Sequence, residues 1–242
     1  MTKEYDHITA LHYSAFRPAL HSQILKKHLD GHPSYSIGLD VGSGIGHSSI
    51  ALAEYCKKVV GVEPSKEMLS KSILHPRVKY AHYDCKHLDF EEEYFDIVSF
   101  AGSLHYAKSA QMFDEVIRVS KNGAKIVIYD FELLLEDILG MLRAEGNARQ
   151  KSEYDHQVDL SGLDRKNIET EQVAKTSVTV EICIQDLTHL ILSSKDNYRL
   201  LLKLFGLEDI YIRVFHKLNS VLTGDIAKIK AITYTTIYNV MK

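Results

Sequence analysis

The chain predicts an α/β fold: a doubly wound, mostly parallel seven-stranded sheet with a helical cap. Three observations carry this. Short β-branched runs alternate with helical segments through residues 35–130. A glycine cluster, GLDVGSGIGHSS at residues 38–49, follows the first of those runs directly. Two further β-branched runs, TSVTVEICI and AITYTTIYNV, stand late in the chain with helical sequence between them.

Ahead of the sheet, PALHSQILKKHL sets Leu20, Ile24, Leu25 and Leu29 on one helical face, with Pro18 as a starter. SYSIGLDV then reads as a buried strand running into the glycines, HSSIALAEYC as a helix and KVVGVE as the second strand. PSKEMLSKSIL opens on Pro64 and turns Met68, Leu69 and Ile73 inward. RVKYAHYD and FDIVSFAG are the third and fourth strands. AQMFDEVIRVS spaces Met112, Phe113, Val116 and Ile117 as a helix does, and Asn122 with Gly123 turns the chain into AKIVIYD, the fifth strand.

Beyond it, FELLLEDILGMLRAEG predicts a helix, KSEYDHQVDLSGLDR a loop and DLTHLILSSKDNYRLLLKLFG helical structure. The expected organisation is one domain over 1–242. An N-terminal helical cover takes 1–34 and a ligand-binding core 35–130. Cap segments occupy 131–170 and 186–228, and C-terminal strands at 171–185 and 230–242 pair at one sheet edge.

Of the residues 45% are hydrophobic and 25% charged, enough apolar surface for a real core. A net charge of -3, with Lys and Arg dispersed, gives no footprint for a polyanion, so neither nucleic acid nor an anionic membrane is an expected partner. Cys56, Cys85 and Cys183 have no paired spacing and read as buried thiols in a reducing compartment. The first residues lack the apolar core of a secretory signal, no apolar run reaches membrane length, and a cytoplasmic protein is expected. His-Glu-x-x-His is absent, and Gly31 and Pro33 break the helix that would align His28 with His32, so no metal is expected.

In a parallel α/β sheet, ligands lie beyond the carboxyl ends of the strands where strand order reverses. DVGSGIG falls at that point. Gly42 and Gly44 remove β-carbons so a ligand can approach the main chain, and Gly46 admits the following helix. The third glycine comes one residue early for the dinucleotide pattern G-x-G-x-x-G. Asp40 repels a pyrophosphate and suits a cation. Glu63, ending the second strand, suits a ribose diol. Asp84 suits an exocyclic amine, and Met68 and Cys85 suit the apolar walls of a base pocket. The ligand implied has a nucleoside end and a positively charged end. Taken singly, a tight turn, helix caps and surface acids are the alternatives.

LDVGSGIGHSS, VGVEPSKEML, YDCKHLDF, FDIVSFAGSLHYA and VIRVSKNGAKIVIYD, in this order and spacing, resemble the class I S-adenosylmethionine-dependent methyltransferases, whose fold is Rossmann-like. SLHYAKSAQMFDEVIRVSKNG and LHYSAFRP are most similar to small-molecule members of the trans-aconitate type. The resemblance implies that Asp40, Gly42, Ser43 and Gly44 line the methionine part of S-adenosylmethionine and that Glu63 holds its ribose. Met68, Asp84 and Cys85 would surround adenine, and Ala101 and Gly102 would lie beside the sulfonium. Tyr13 and Arg17 would fold over the cofactor or reach the substrate. Where the family has Pro-Gly-Gly, this chain has Asn122-Gly123-Ala124, a turn that asparagine tolerates.

The expected activity is in-line methyl transfer to a small polar metabolite, such as a carboxylate, with S-adenosylhomocysteine as product. Alignment supplies much of such a rate. A carboxylate acceptor needs no base, whereas a phenol or carbon acid does. His105, following the fourth strand, is the candidate base, and a structural imidazole is its alternative. Arg17 offers a carboxylate fork or a surface ion pair. His156, with Asp155, touches substrate or sits in a solvated loop. SFAG replaces the Asn/Asp-Pro-Pro-aromatic signature of nucleic-acid amino methyltransferases, which favours a small acceptor. A monomer or homodimer is expected. A non-catalytic S-adenosylmethionine-binding protein or scaffold is the alternative function, and a nicotinamide oxidoreductase is disfavoured by loop spacing and Asp40.

Overall fold

Strands that lie inside a parallel sheet bury both faces, which is why the runs ending at Val41, Glu63 and Ala101 are so continuously apolar. The computed structural model describes residues 11–12, 15–29, 34–84, 86–142, 154–163 and 166–242. Its strands are β1 (Tyr35–Val41), β2 (Cys56–Glu63), β3 (Val78–His82), β4 (Phe95–Ala101), β5 (Ser120–Leu133), β6 (Ile168–Cys183) and β7 (Ile226–Val240). They form one seven-stranded sheet in the order β3-β2-β1-β4-β5-β7-β6. β1 pairs in parallel with β2 and β4, β2 with β3, and β4 with β5. β7 runs against β5: Leu134 N donates to Lys230 O, while Lys125 Nζ donates to Asn239 Oδ1. Strand order reverses between β1 and β4, so the glycine loop after β1 lies at the switch point.

The helices are α1 (Leu20–Leu29), α2 (His47–Leu52), α3 (Lys66–Ser70), α4 (Leu104–Ala107), α5 (Ala110–Val119), α6 (Glu136–Met141), α7 (Ile184–Leu192), α8 (Lys195–Phe205) and α9 (Ile210–Val221). The chain divides into two compact units, one of Ala19–Phe131, Glu153–Thr176 and Thr233–Lys242, the other of Met1–Pro18, Glu132–Ser152 and Ser177–Ile232.

In the first unit, α5 is amphipathic and buries Met112, Phe113, Val116 and Ile117 against a core that includes Leu39 and Ile126. Its start is fixed by Ser109, whose hydroxyl accepts from Met112 N at 3.1 Å. In the second unit, α7, α8 and α9 pack together and bury Leu187, Ile191, Leu201, Val214 and Leu218. His12 Nδ1 lies 2.9 Å from His189 Nδ1, and burial, with the neighbouring ring, holds His12 below the usual imidazole range.

Several boundaries differ from the sequence expectation. The helix expected over 47–56 stops at Leu52, because Cys56 already belongs to β2. The segment 64–74 is helical only over Lys66–Ser70. Asn122 and Gly123 do not precede β5 but bulge within it: Phe95 pairs with Ser120 while Ile97 pairs with Lys125. β5 then runs on to Leu133, so the helix expected from residue 131 begins at Glu136. The helical stretch at 186–206 is two helices, broken where the Ser194 hydroxyl caps α8. A helix at Ile210–Val221 also lies inside the expected cap segment.

Candidate functional site

The glycine loop is held by its own main chain. Gly42 N and Ser43 N both donate to Val62 O of β2, at 2.8 and 3.1 Å, and Gly46 N donates to Ser43 O at 2.9 Å. All three glycines have positive φ: 76° at Gly42, 55° at Gly44 and 103° at Gly46. A Cβ on Gly42 would lie 2.5 Å from Ser103 Cβ, and one on Gly46 would lie 1.9 Å from the Tyr80 hydroxyl. A Cβ on Gly44 would meet nothing within 4 Å. Two glycines therefore let neighbouring groups close on the loop, and the middle one borders open space. Beside it the Ser43 hydroxyl is enclosed and has no hydrogen-bond partner among the described residues.

The carboxylates ending the strands divide into three kinds. Asp40 is fully buried; its Oδ2 accepts from Ser48 Oγ and Ser49 Oγ, both at 2.6 Å, and its Oδ1 from Ser99 Oγ at 2.8 Å. Burial pushes its pKa above the usual carboxylate range, and the hydrogen bonds from the three hydroxyls oppose that shift. It braces the loop and the start of α2 from beneath. Glu63 reaches the loop itself: Oε2 accepts from Gly44 N and Oε1 from Ser65 N, each at 2.9 Å. Asp84 is exposed, and its Oδ1 accepts from Lys86 N and His87 N, backbone bonds that hold it below the usual carboxylate range.

A fourth carboxylate was not singled out from the sequence. Asp130 on β5 faces the end of β4, and its Oδ2 lies 3.0 Å from His156 Nδ1. The Tyr154 hydroxyl sits 2.8 Å from the same oxygen and 2.6 Å from Gly102 O. His105 packs its ring on Tyr154, with centroids 4.5 Å apart, and its Nδ1 accepts from Asp155 N at 3.2 Å. Asp130, His156, Gly102, Phe100 and Tyr234 line a narrow cleft that is open to solvent. In the sequence Asp130 closes an apolar run just as Asp40, Glu63 and Asp84 do, and that repetition was the available signal. Nothing in the loop's composition marked Tyr154.

The sequence candidates therefore fall into groups. Gly42, Ser43, Gly44 and Glu63 are brought together at the loop, with Asp40 below it. Ala101, Gly102, His105 and His156 gather at the end of β4. Met68 is half-buried on α3. Arg17 belongs to the other compact unit. Tyr13 and Cys85 lie outside the described residues. Among the described residues no group of three or more His, Cys, Asp or Glu is placed to hold a metal ion, and no helix is long and apolar enough to cross a membrane.

Comparison with known proteins bears on the same strands. Residues 39–128 match the methyltransferase domain family. A protein assigned as a methyltransferase in Dictyostelium discoideum is 25% identical over 125 residues, 50% of this chain and 47% of that one. The demethylmenaquinone methyltransferase of Clavibacter sepedonicus is 35% identical over 98 residues, 38% of this chain and 40% of that one. The chain thus spans less than half the length of these relatives. A solved structure assigned as a type II methyltransferase of Anaeromyxobacter dehalogenans has a TM-score of 0.66 at 16% identity, covering 93% of this chain and 99% of that one, which establishes the shared fold. The seven-stranded sheet thus shares its Rossmann-like fold with that structure, and the part of it that carries the glycine loop is similar to the methyltransferase domain family.

Proposed function

We propose that the protein transfers a methyl group from S-adenosylmethionine to a small polar acceptor. The observation that carries this is the loop at the strand-order switch point. Gly44 borders open space, the adjacent Ser43 hydroxyl is enclosed without a partner, and Glu63 is already drawn onto the Gly44 amide. These groups fit the cofactor's polar ends: Ser43 has a hydrogen bond to make, and the Glu63 carboxylate can accept both ribose hydroxyls. Bound there, S-adenosylmethionine supplies an electrophilic methyl group and is released as S-adenosylhomocysteine.

The chain's own residues then orient and screen. Gly42, Ser43 and Gly44 hold the methionine end, with Asp40 acting through the serines above it. Met68 with Asp84 borders adenine, and Ala101 and Gly102 lie at the sulfur. Fixed alignment of the acceptor against that point supplies the larger part of the rate, with effective molarities on the order of 10⁵ M or more in well-oriented cases. A labelled-methyl screen of small polar metabolites, carboxylates, phenols and amines, tests the activity. Label should enter at least one acceptor and be lost with Glu63→Ala; no transfer to any of them, with the cofactor bound, would favour a non-catalytic binder.

A further inference from the structure

We propose that β6 is an interaction surface for a second copy of this chain, the two strands pairing antiparallel about a two-fold axis at Val173 so that the two sheets join. The contact lies outside the methyl-transfer site and does not depend on that activity.

β6 is the last strand of the sheet, with β7 on one side of it. The Thr176 and Thr233 hydroxyl oxygens lie 2.8 Å apart, and Lys175 Nζ sits 5.1 Å from the centre of the Tyr234 ring, so these residues mark the edge that β7 occupies. An end strand offers its outer row of main-chain N–H and C=O groups to another chain. Proteins blunt such edges by keeping them short, as at the opposite end of the sheet, where β3 has five residues. β6 has sixteen. From Glu169 to Val173 every residue is exposed, so both faces of the strand stand open there. Val173 itself is 73% exposed.

This stretch is complementary to itself. It reads TEQVAKT over residues 170–176. In an antiparallel pair, residues directly opposite one another share a face of the sheet and interact. With the axis at Val173, valine meets valine and threonine 170 meets the second copy's threonine 176. Glu171 meets the second copy's Lys175, and the symmetry repeats that opposite-charge contact on the other side of the axis. Gln172 meets Ala174, whose small side chain leaves room for the contact of Gln172 with His28 Nδ1 at 3.2 Å. Glu171 also pairs with Lys125 of its own chain, and a carboxylate has lone pairs for both cations. Moving the axis by one residue in either direction sets Val173 against Glu171 or Lys175. A one-residue slip of one strand exchanges the faces altogether. Charge and shape therefore select one register.

Sedimentation of the whole chain over a concentration series reaching about 1 mM tests the contact, and the wild type should show a monomer–dimer equilibrium. Lys175→Glu sets like charges across the axis twice and should raise the dimer dissociation constant at least about tenfold, as should Glu171→Lys. Mixing those two variants restores both opposite-charge contacts and should recover a heterodimer. Independently of charge, Val173→Cys should oxidise to a disulfide-linked dimer, because opposed Cα atoms about 4.5–5.5 Å apart lie within disulfide reach. Lys79→Cys, on the other end strand, should link no more than the wild type, whose own cysteines set the background. A wild type that stays monomeric throughout, a dimer that Lys175→Glu leaves equally tight, or a Val173→Cys variant that links no better than Lys79→Cys overturns the proposal.

Discussion

Asp40, Glu63 and Asp84 look alike in sequence, each an acid ending an apolar run, yet the fold gives each a different task. Asp40 sits in a cage of three serine hydroxyls, so Asp40→Ala would leave buried donors without their acceptor, at about 1–3 kcal/mol for each one orphaned. Asp40→Asn keeps an acceptor and should lose clearly less; urea melts of the two variants make the comparison. Gly46→Ala is a second residue-scale prediction. Its Cβ would lie 1.9 Å from the Tyr80 hydroxyl at a φ of 103°, and overpacking with backbone strain predicts a loss of about 2 kcal/mol or more. The acids were legible as candidates because strand ends are legible. Their separate roles were not, because burial and partners such as Ser99 come from other strands.

Elements were read well where side-chain chemistry forces them. β1, β2 and β4 each carry a buried apolar stretch that suits an interior strand, and α5 has both its apolar stripe and its cap written locally. Ser109→Ala removes the acceptor for Met112 N and should cost about 1 kcal/mol of stability, measured by thermal melting, with Ser109→Asp retaining most of it. Boundaries set by tertiary pairing were misread. Leu52 is followed by turn because the chain must return to pair Tyr35 with Cys56, and Phe131 stays extended because β5 continues. The segment carrying Tyr154 and His156 has no periodicity at all; its order comes from hydrogen bonds to Asp130 and Gly102.

At the scale of the whole molecule, acid sensitivity has an identifiable source. Glu115 accepts from Arg118 and from Leu88 N, while Arg118 also donates to Phe90 O and Leu88 O, tying α5 to the chain before β4. Led by the Arg118 hydrogen bond, these contacts pull the Glu115 carboxyl down from 4.5 to about 2. A depressed carboxylate contributes stability that is fully present above its unfolded value and is lost as pH falls through the folded one. Urea midpoints should therefore fall between pH 4.5 and about 2, and Glu115→Gln should flatten that slope. The doubly wound sheet and its switch point were visible in outline from the alternation of strands and helices, whereas the order of its strands came from the structure. The central claim is that the loop beside Glu63 receives an adenosyl ligand, and calorimetry with S-adenosylhomocysteine tests it most directly. Wild-type protein should bind one equivalent, and Glu63→Ala, losing a charged acceptor, should bind at least about tenfold more weakly. No heat from the wild type, or equal affinity in a folded Glu63→Ala variant, would contradict it.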